Sequence, residues 1–418
     1  MMALGTETRT GGETGTACNG DAGSVAAAAR SAGDAGLFGL FAEDPARAVA
    51  IIGLVKNAGK TTVANAILTH VRRRFGLTSL GLDGERTDHL TGLAKPRIVP
   101  PEGTLVATTT GSLDRSRCCM EIVAELPFRT ALGRVVVGRA TGGSPVEVSG
   151  PTTLAQVRAT VDALIGLGAE RVLVDGAINR LGSASPRVTD GLIMATGGMV
   201  GDSFDEAVQT TADTFEMLTL PAADEQTLRR LGVERRGARD AGSDLRGQPE
   251  PGAAGPEGGR PRLISVDERG RQRALDVTTA IGEGVAVCRE IERLGTRTLY
   301  CSGALTQDFV DDMVRVLPPQ RRLRLVVRDA TVLVLPALWV SRLRRRGVDL
   351  RVVDPLRVLA VTANPFRLPQ PLNPTLFFNA VVEAIGDRAP VFDVVNGLDH
   401  RPGGAVDART TCSSESLA

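Results

Sequence analysis

An α/β fold with a mostly parallel sheet, followed by a second and smaller α/β unit, is what three features of this 418-residue chain predict. Apolar runs of strand length alternate with segments of helical spacing from residue 47 onward, the pattern of strands covered by helices on both faces. A Gly-, Pro- and charge-rich stretch over 233–262 (VERRGARDAGSDLRGQPEPGAAGPEGGRPR) interrupts that alternation and reads as a flexible linker. The length also exceeds what one compact core usually serves, which makes two units the natural expectation.

Taken in order, residues 1–46 are rich in Gly, Ala, Thr and Ser and read as a disordered N-terminal extension. They lack the basic and apolar regions of a secretory signal, and Glu7, Glu13, Asp21 and Asp34 make them too acidic for a transit peptide. The first unit, 47–232, opens on a buried strand at 47–54. A helix over 61–74 follows, its terminal arginines suiting the negative end of the helix dipole. A strand at 78–82 ends at Asp83. Short strands are expected at 105–109, 134–139 and 145–148, the last two as a hairpin around Gly142-Gly143. Then come a helix at 154–167, a strand at 171–174 with the turn Asp175-Gly176, and a strand at 191–195 running into Thr196-Gly197-Gly198. A helix at 203–218 is begun by Asp202 or Ser203. The second unit, 263–395, carries expected strands at 298–301, 323–327, 350–353, 359–362 and 391–395, with helices near 306–316 and 337–346. Residues 396–418 read as a polar tail.

Composition excludes several classes of function. A net charge of +1 gives no global field to attract nucleic acid or an anionic membrane, and aromatics at 3% leave few rings for stacking on bases. No apolar run is long enough for a membrane span. The six cysteines show no C-x-x-C spacing, which fits a reducing, cytoplasmic compartment better than a disulfide framework or a zinc site.

The chemistry concentrates in GLVKNAGKTT, from Gly53 to Thr62, placed between a strand and a helix. Standard phosphate loops read G-x-x-x-x-G-K-[ST]; here five positions separate Gly53 from Gly59, a spacing similar to that of dethiobiotin-synthetase-type ATPases. The core Gly59-Lys60-Thr61 is intact in the strand–loop–helix context the mechanism needs. Gly59 lets the N–H groups of Asn57, Ala58 and their neighbours turn inward around phosphates, with the positive helix end behind them. Lys60 would reach the β- and γ-phosphates, Thr61 would ligate Mg²⁺, and Thr62 would extend the cradle. Of the 49 basic residues three are lysines, Lys56, Lys60 and Lys95, and 46 are arginine. A chain that otherwise uses arginine needs a reason for two lysines in one loop, and a compact ammonium fits a tight cradle where a guanidinium fork does not.

Lys56 precedes Lys60 by four residues; in ParA-like and nitrogenase-reductase-like ATPases an extra lysine at five acts across a homodimer. The alternative for Lys56 is a solvent-facing loop lysine. A carboxylate for the Mg²⁺ site should end a neighbouring strand, and the candidates are Asp175 first, in V-L-V-D-G, and Asp83 second. Guanine recognition by [NT]-K-x-D has no counterpart, since Lys95 sits in A-K-P-R, so ATP is the expected nucleotide. The remaining candidates are weaker. His89, in T-D-H-L-T-G, has Thr87 where a cobalamin-binding signature needs Asp, and reads as a loop histidine. Cys118-Cys119 read as small core residues on a helix, and the basic run from Ser341 to Arg346 as a solvated helix end. His70 and His400 suggest no partners.

The series GLVKNAGKTT, LTSLGLDGERTD, KPRIVPPEGTLVAT, RVLVDGAINR and DGLIMATGG, closed by RVLAVTANPFRLPQPLNPTLFFNAVV, resembles the P-loop proteins that accompany adenosylcobalamin-dependent lysine 5,6-aminomutase and related ornithine aminomutases. The resemblance covers roughly 47–395 without the linker. It implies a chaperone-like P-loop ATPase, a reactivase that uses ATP to open the mutase so that damaged cobalamin exchanges for intact cofactor. The implied partners are the B12-dependent aminomutase and a second reactivase subunit. Two rivals remain: an ATP-dependent kinase or ligase of dethiobiotin-synthetase type, holding an acidic substrate at Thr108-Thr109-Thr110-Gly111 and Thr196-Gly197-Gly198, and a ParA-like ATPase switch.

Overall fold

The computed structural model describes residues 36–81, 97–116, 119–235, 263–277, 279–318 and 321–402, with the side chains of 177–180 left aside. In chain order its first part contains α1 (Leu37–Glu43), β1 (Ala48–Gly53), α2 (Lys60–His70), β2 (Phe75–Ser79), β3 (Leu105–Thr109) and α3 (Thr110–Arg115). It continues with β4 (Met120–Thr130), β5 (Gly133–Ala140), α4 (Leu154–Gly166), β6 (Arg171–Ala177), β7 (Gly191–Gly197), α5 (Phe204–Leu218) and α6 (Glu225–Leu231). Beyond the linker come β8 (Leu263–Asp267), β9 (Gln272–Ala274), α7 (Gly284–Arg293), β10 (Thr296–Cys301), β11 (Leu305–Thr306), α8 (Gln307–Val316), β12 (Leu323–Val327) and β13 (Leu333–Val334). The chain then forms α9 (Leu338–Arg345), β14 (Val348–Val352), β15 (Val358–Asn364), α10 (Pro374–Ile385), β16 (Val391–Asp393) and β17 (Leu398–His400).

The expected α/β class holds. A ten-stranded sheet runs β17-β16-β15-β7-β1-β6-β2-β3-β5-β4, and a five-stranded sheet runs β14-β12-β10-β8-β9. In the large sheet β15, β7, β1, β6, β2 and β3 are mutually parallel neighbours. Central β1 is buried along its whole length, as an unbroken apolar run requires when both faces are covered. One face packs Ile51 and Ile193 with Phe41, Ile67 and Phe392. The other joins Ile52 and Met194 to Phe215 of α5 and onward to Val287, Leu299 and Val327, so both sheets share one hydrophobic cluster.

Sheet membership departs from the expected division of the chain. The strands expected at 359–362 and 391–395 as parts of the second unit belong to the first sheet, where β15 pairs with β7. Val361 and Ala363 on β15 add to the same apolar cluster as Met194, which accounts for the return of the chain. Residues 36–46, expected within the disordered extension, include α1, anchored by buried Leu37 and Phe41. Arg171 donates to the carbonyls of Ala46 and Asp44 behind that helix. Residues 398–400 of the expected tail pair with β16.

Local boundaries also differ. Helix α2 ends at His70, so Arg72, Arg73 and Arg74 lie beyond it. There the Arg74 backbone exchanges hydrogen bonds with Glu170, which draws the chain into β2. β2 begins at Phe75 rather than at 78 because Gly76 allows close approach: a Cβ there would stand 3.1 Å from Leu164 Cβ on α4. The expected 134–139/145–148 hairpin does not form; β5 pairs with β3 and with β4, a strand not anticipated, leaving Val146 a single bridge to Ile98. Cys119 therefore precedes a strand instead of sitting on a helix, and Cys118 lies outside the described residues. Asp175 lies inside β6, which continues to Ala177, instead of in a turn. At α5 the cap is Ser203, whose hydroxyl accepts from Glu206 N while Glu206 accepts from Asp202 N, a reciprocal box. Among the described residues no helix is long and apolar enough to cross a membrane.

Candidate functional site

Parallel strands deliver their C-terminal ends to one edge of a sheet, where loops converge and ligands bind in open α/β folds. In the large sheet those ends are Gly53, Ser79, Thr109, Ala177, Gly197 and Asn364. The 53–62 loop leaves from the middle of that edge. Leu54 N donates to Ala195 O at 3.0 Å, which ties the loop to β7. Asn57 takes φ 65 and Gly59 φ 92, ψ 5, two left-handed residues that turn the chain into α2 at Lys60. Only glycine does this without strain, so Gly59 has a backbone reason to be glycine. Val63 N then donates to Gly59 O at 3.0 Å and starts the helix ladder.

The loop brings its lysine to the neighbouring strand. Lys60 Nζ stands 2.9 Å from Asp175 Oδ1, with side chains 14% and 20% exposed. The juxtaposition follows from register, because Asp175 on β6 pairs with Ile51 on β1. Thr61 is half-buried in the first helical turn, Thr62 and Lys56 are exposed, and Ala58 is buried. The first-choice carboxylate is thus at the loop lysine. Asp83, with Lys95, Thr87 and His89, lies outside the described residues. Among the described residues no group of three or more His, Cys, Asp or Glu could hold a metal. Asp175, beside Lys60, and the Thr61 hydroxyl in the first turn of α2 are oxygen donors of the kind Mg²⁺ takes when phosphates and water supply the rest of its octahedron.

Elsewhere on the edge, hydroxyls are consumed internally. Thr109 Oγ1 caps α3 and shares a 2.7 Å hydrogen bond with Ser149 Oγ, which donates to Ser112 Oγ at 2.7 Å. Ser112 Oγ donates to Glu147 Oε1 at 2.9 Å, and the Arg115 guanidinium closes the network on the same carboxylate. That carboxylate in turn holds the guanidinium pKa above its ordinary value. Thr196 shares its hydroxyl with Thr211 at 2.6 Å, and a Cβ on Gly198 would stand 2.9 Å from Leu372. The two loops expected to hold an acidic substrate are therefore built into the packing.

Sequence reasoning missed two contacts. Asn364 Nδ2 donates to Asn57 O at 2.9 Å, so the end of β15 reaches the loop; its signal was the N-P pair after a strand. Ser185 Oγ, past the end of β6, donates to Asp329 Oδ2 at 2.9 Å, both residues buried, and this ties the first sheet to the second. The other candidates resolve into structure. The basic run is the solvated end of α9 that was expected, with Arg342, Arg344 and Arg345 exposed; Arg344 pairs with Glu216, Arg342 lies 4.9 Å over the Trp339 ring, and half-buried Arg346 donates to Val314 O. His70 rests against Phe38 with ring centroids 4.8 Å apart, and His400 lies 3.8 Å from Asp387. Burial pushes the Cys288 thiol up to about 12 and Cys301 to about 11, which keeps both protonated.

No family model, curated protein or solved structure matches this chain.

Proposed function

We propose that this chain is a P-loop ATPase in which residues 53–62 bind ATP with Mg²⁺ and Asp175 completes the metal site. The observation that carries this reading is the 2.9 Å approach of Lys60 Nζ to Asp175 Oδ1 at the start of α2. It supports the reading because an ammonium suited to phosphate oxygens and a carboxylate suited to a divalent ion lie side by side at the positive end of an eleven-residue helix. Bound Mg²⁺ would neutralise developing charge on the transferred phosphoryl group. Lys60 would orient the β- and γ-phosphates, Thr61 and Asp175 would hold the ion, and the left-handed turn at Asn57 and Gly59 would face backbone N–H groups inward. The hydroxyls of Thr108, Thr109 and Thr196, engaged by Glu147 O, Ser149 and Thr211 within strand ends, weigh against the small-molecule kinase or ligase alternative.

The client rests on the sequence resemblance: a B12-dependent aminomutase whose spent cobalamin is exchanged through ATP binding and hydrolysis. A nucleotide shifts such an equilibrium only by its differential affinity for the two states, so hydrolysis and mutase binding should be coupled. Phosphate release measured with and without purified aminomutase tests this. A rate that rises with the mutase, together with recovery of the complex, supports the reactivase. ATP consumption stoichiometric with a small substrate and indifferent to the mutase contradicts it.

A further inference from the structure

We propose that Asn364 is a positioning residue that holds the 53–62 loop in its working shape, an inference that rests on the nucleotide reading above. Asn364 ends β15, 307 positions from its loop partner in sequence. Contacts converge on it from three segments. Its Nδ2 donates to Asn57 O at 2.9 Å, its Oδ1 accepts from Phe366 N at 3.1 Å, and its backbone oxygen accepts from Gly198 N at 3.0 Å. A Cβ on Gly59 would stand 3.2 Å from both Cβ and Nδ2 of Asn364, and one on Gly197 2.7 Å from Asn364 O. Glycines at 59 and 197 thus let the strand end and the loop touch.

The hydrogen bond falls on the left-handed non-glycine residue of the loop. Asn57 is the non-glycine residue at positive φ among the described residues, a conformation that asparagine tolerates better than most side chains and glycine better still. Its carbonyl and the N–H of Ala58 belong to one peptide plane and point in opposite directions. The Asn364 amide fixes that plane on one side, and the 3.4 Å bond from Ala58 N to Val55 O fixes it on the other. The plane sets the direction from which the chain enters Gly59 and Lys60. Oδ1 is oriented by Phe366 N, so the group facing Asn57 is a donor, which aspartate cannot supply.

The test uses the full chain. Hydrogen exchange without nucleotide and calorimetric titration with MgATP are compared for the wild type, Asn364→Ala, Asn364→Asp and the double variant Asn57→Gly/Asn364→Ala. Asn364→Ala should raise amide exchange across 54–62 with β12 unchanged, and weaken MgATP binding by about three- to tenfold, the scale of one net hydrogen bond. Asn364→Asp should weaken it further. Asn57→Gly accepts a positive φ without a Cβ penalty and should restore most of the affinity in the double variant, which a merely structural role would not permit. Unchanged loop exchange, wild-type affinity in Asn364→Ala, or a double variant no better than the single one overturns the proposal. A wild type that takes no MgATP sinks the nucleotide reading; the exchange measurement, made without nucleotide, still supports or overturns the hold of Asn364 on the loop.

Discussion

Two strand ends on the same edge of one sheet use similar residues to opposite effect. At the end of β3, Thr109, Ser112, Glu147 and Ser149 form a closed hydrogen-bonded network with Arg115. At the ends of β1 and β6, Lys60 faces Asp175 beside a loop with two left-handed residues. The first arrangement spends its polar groups on its own geometry, and such saturated networks rigidify a fold. The second keeps a cation and a carboxylate partly accessible, able to exchange one partner for another. One cluster builds the scaffold and the other is proposed to do chemistry, although the sequence offered an acidic-substrate site at the first and a nucleotide site at the second.

Substitutions break this comparison in different currencies. The largest expected effect is on rate: Asp175→Asn should lower ATP hydrolysis by about 10²–10³-fold, the scale of losing one preorganised electrostatic group, while MgATP still binds. Single-turnover phosphate release checks it, and a rate unchanged from wild type would remove Asp175 from the metal site. Glu147→Ala should act the other way. It strips the Arg115 guanidinium of its carboxylate and should lower stability by about 2 kcal/mol in urea unfolding, with MgATP affinity unchanged. Ser185→Ala leaves the buried Asp329 carboxylate short of one donor and should lower stability by about 1 kcal/mol. The smallest effect concerns thiols: at pH 8 exposed Cys119 should alkylate faster than Cys288 and Cys301, whose raised pKa values leave almost no thiolate there. Peptide mapping after timed iodoacetamide treatment measures the order.

Legibility in the sequence followed the range of the interactions. β1 and the loop were legible because an apolar run, a Gly-Lys-Thr triplet and a helical pattern are all local. β12 was expected at 323–327 and lies there, since five residues of Leu-Arg-Leu-Val-Val carry their own strand signal. β4 was not legible: Pro127, Glu121 and Glu125 mask it, and it tolerates them because it sits at the sheet edge with register shifts around the proline. The return of β15 to the first sheet depends on pairing with β7 across more than 160 residues, which no local pattern encodes. The same distance hid Asn364. Asp175 was legible as an acid after an apolar run, and its partner Lys60 as the lysine of the loop; the 2.9 Å between them required the register of β1 against β6.

Lys60, beside Asp175, is proposed as the residue through which this chain holds nucleotide phosphate. Calorimetric titration of MgATP into wild-type chain and into Lys60→Ala, with a urea melt to show that both are folded, tests it most directly. MgATP should bind the wild type and lose about 10²-fold or more in affinity in Lys60→Ala, as expected for removing a desolvated charge-assisted contact. Equal affinity in the two folded proteins, or no MgATP binding by the wild type, would contradict it.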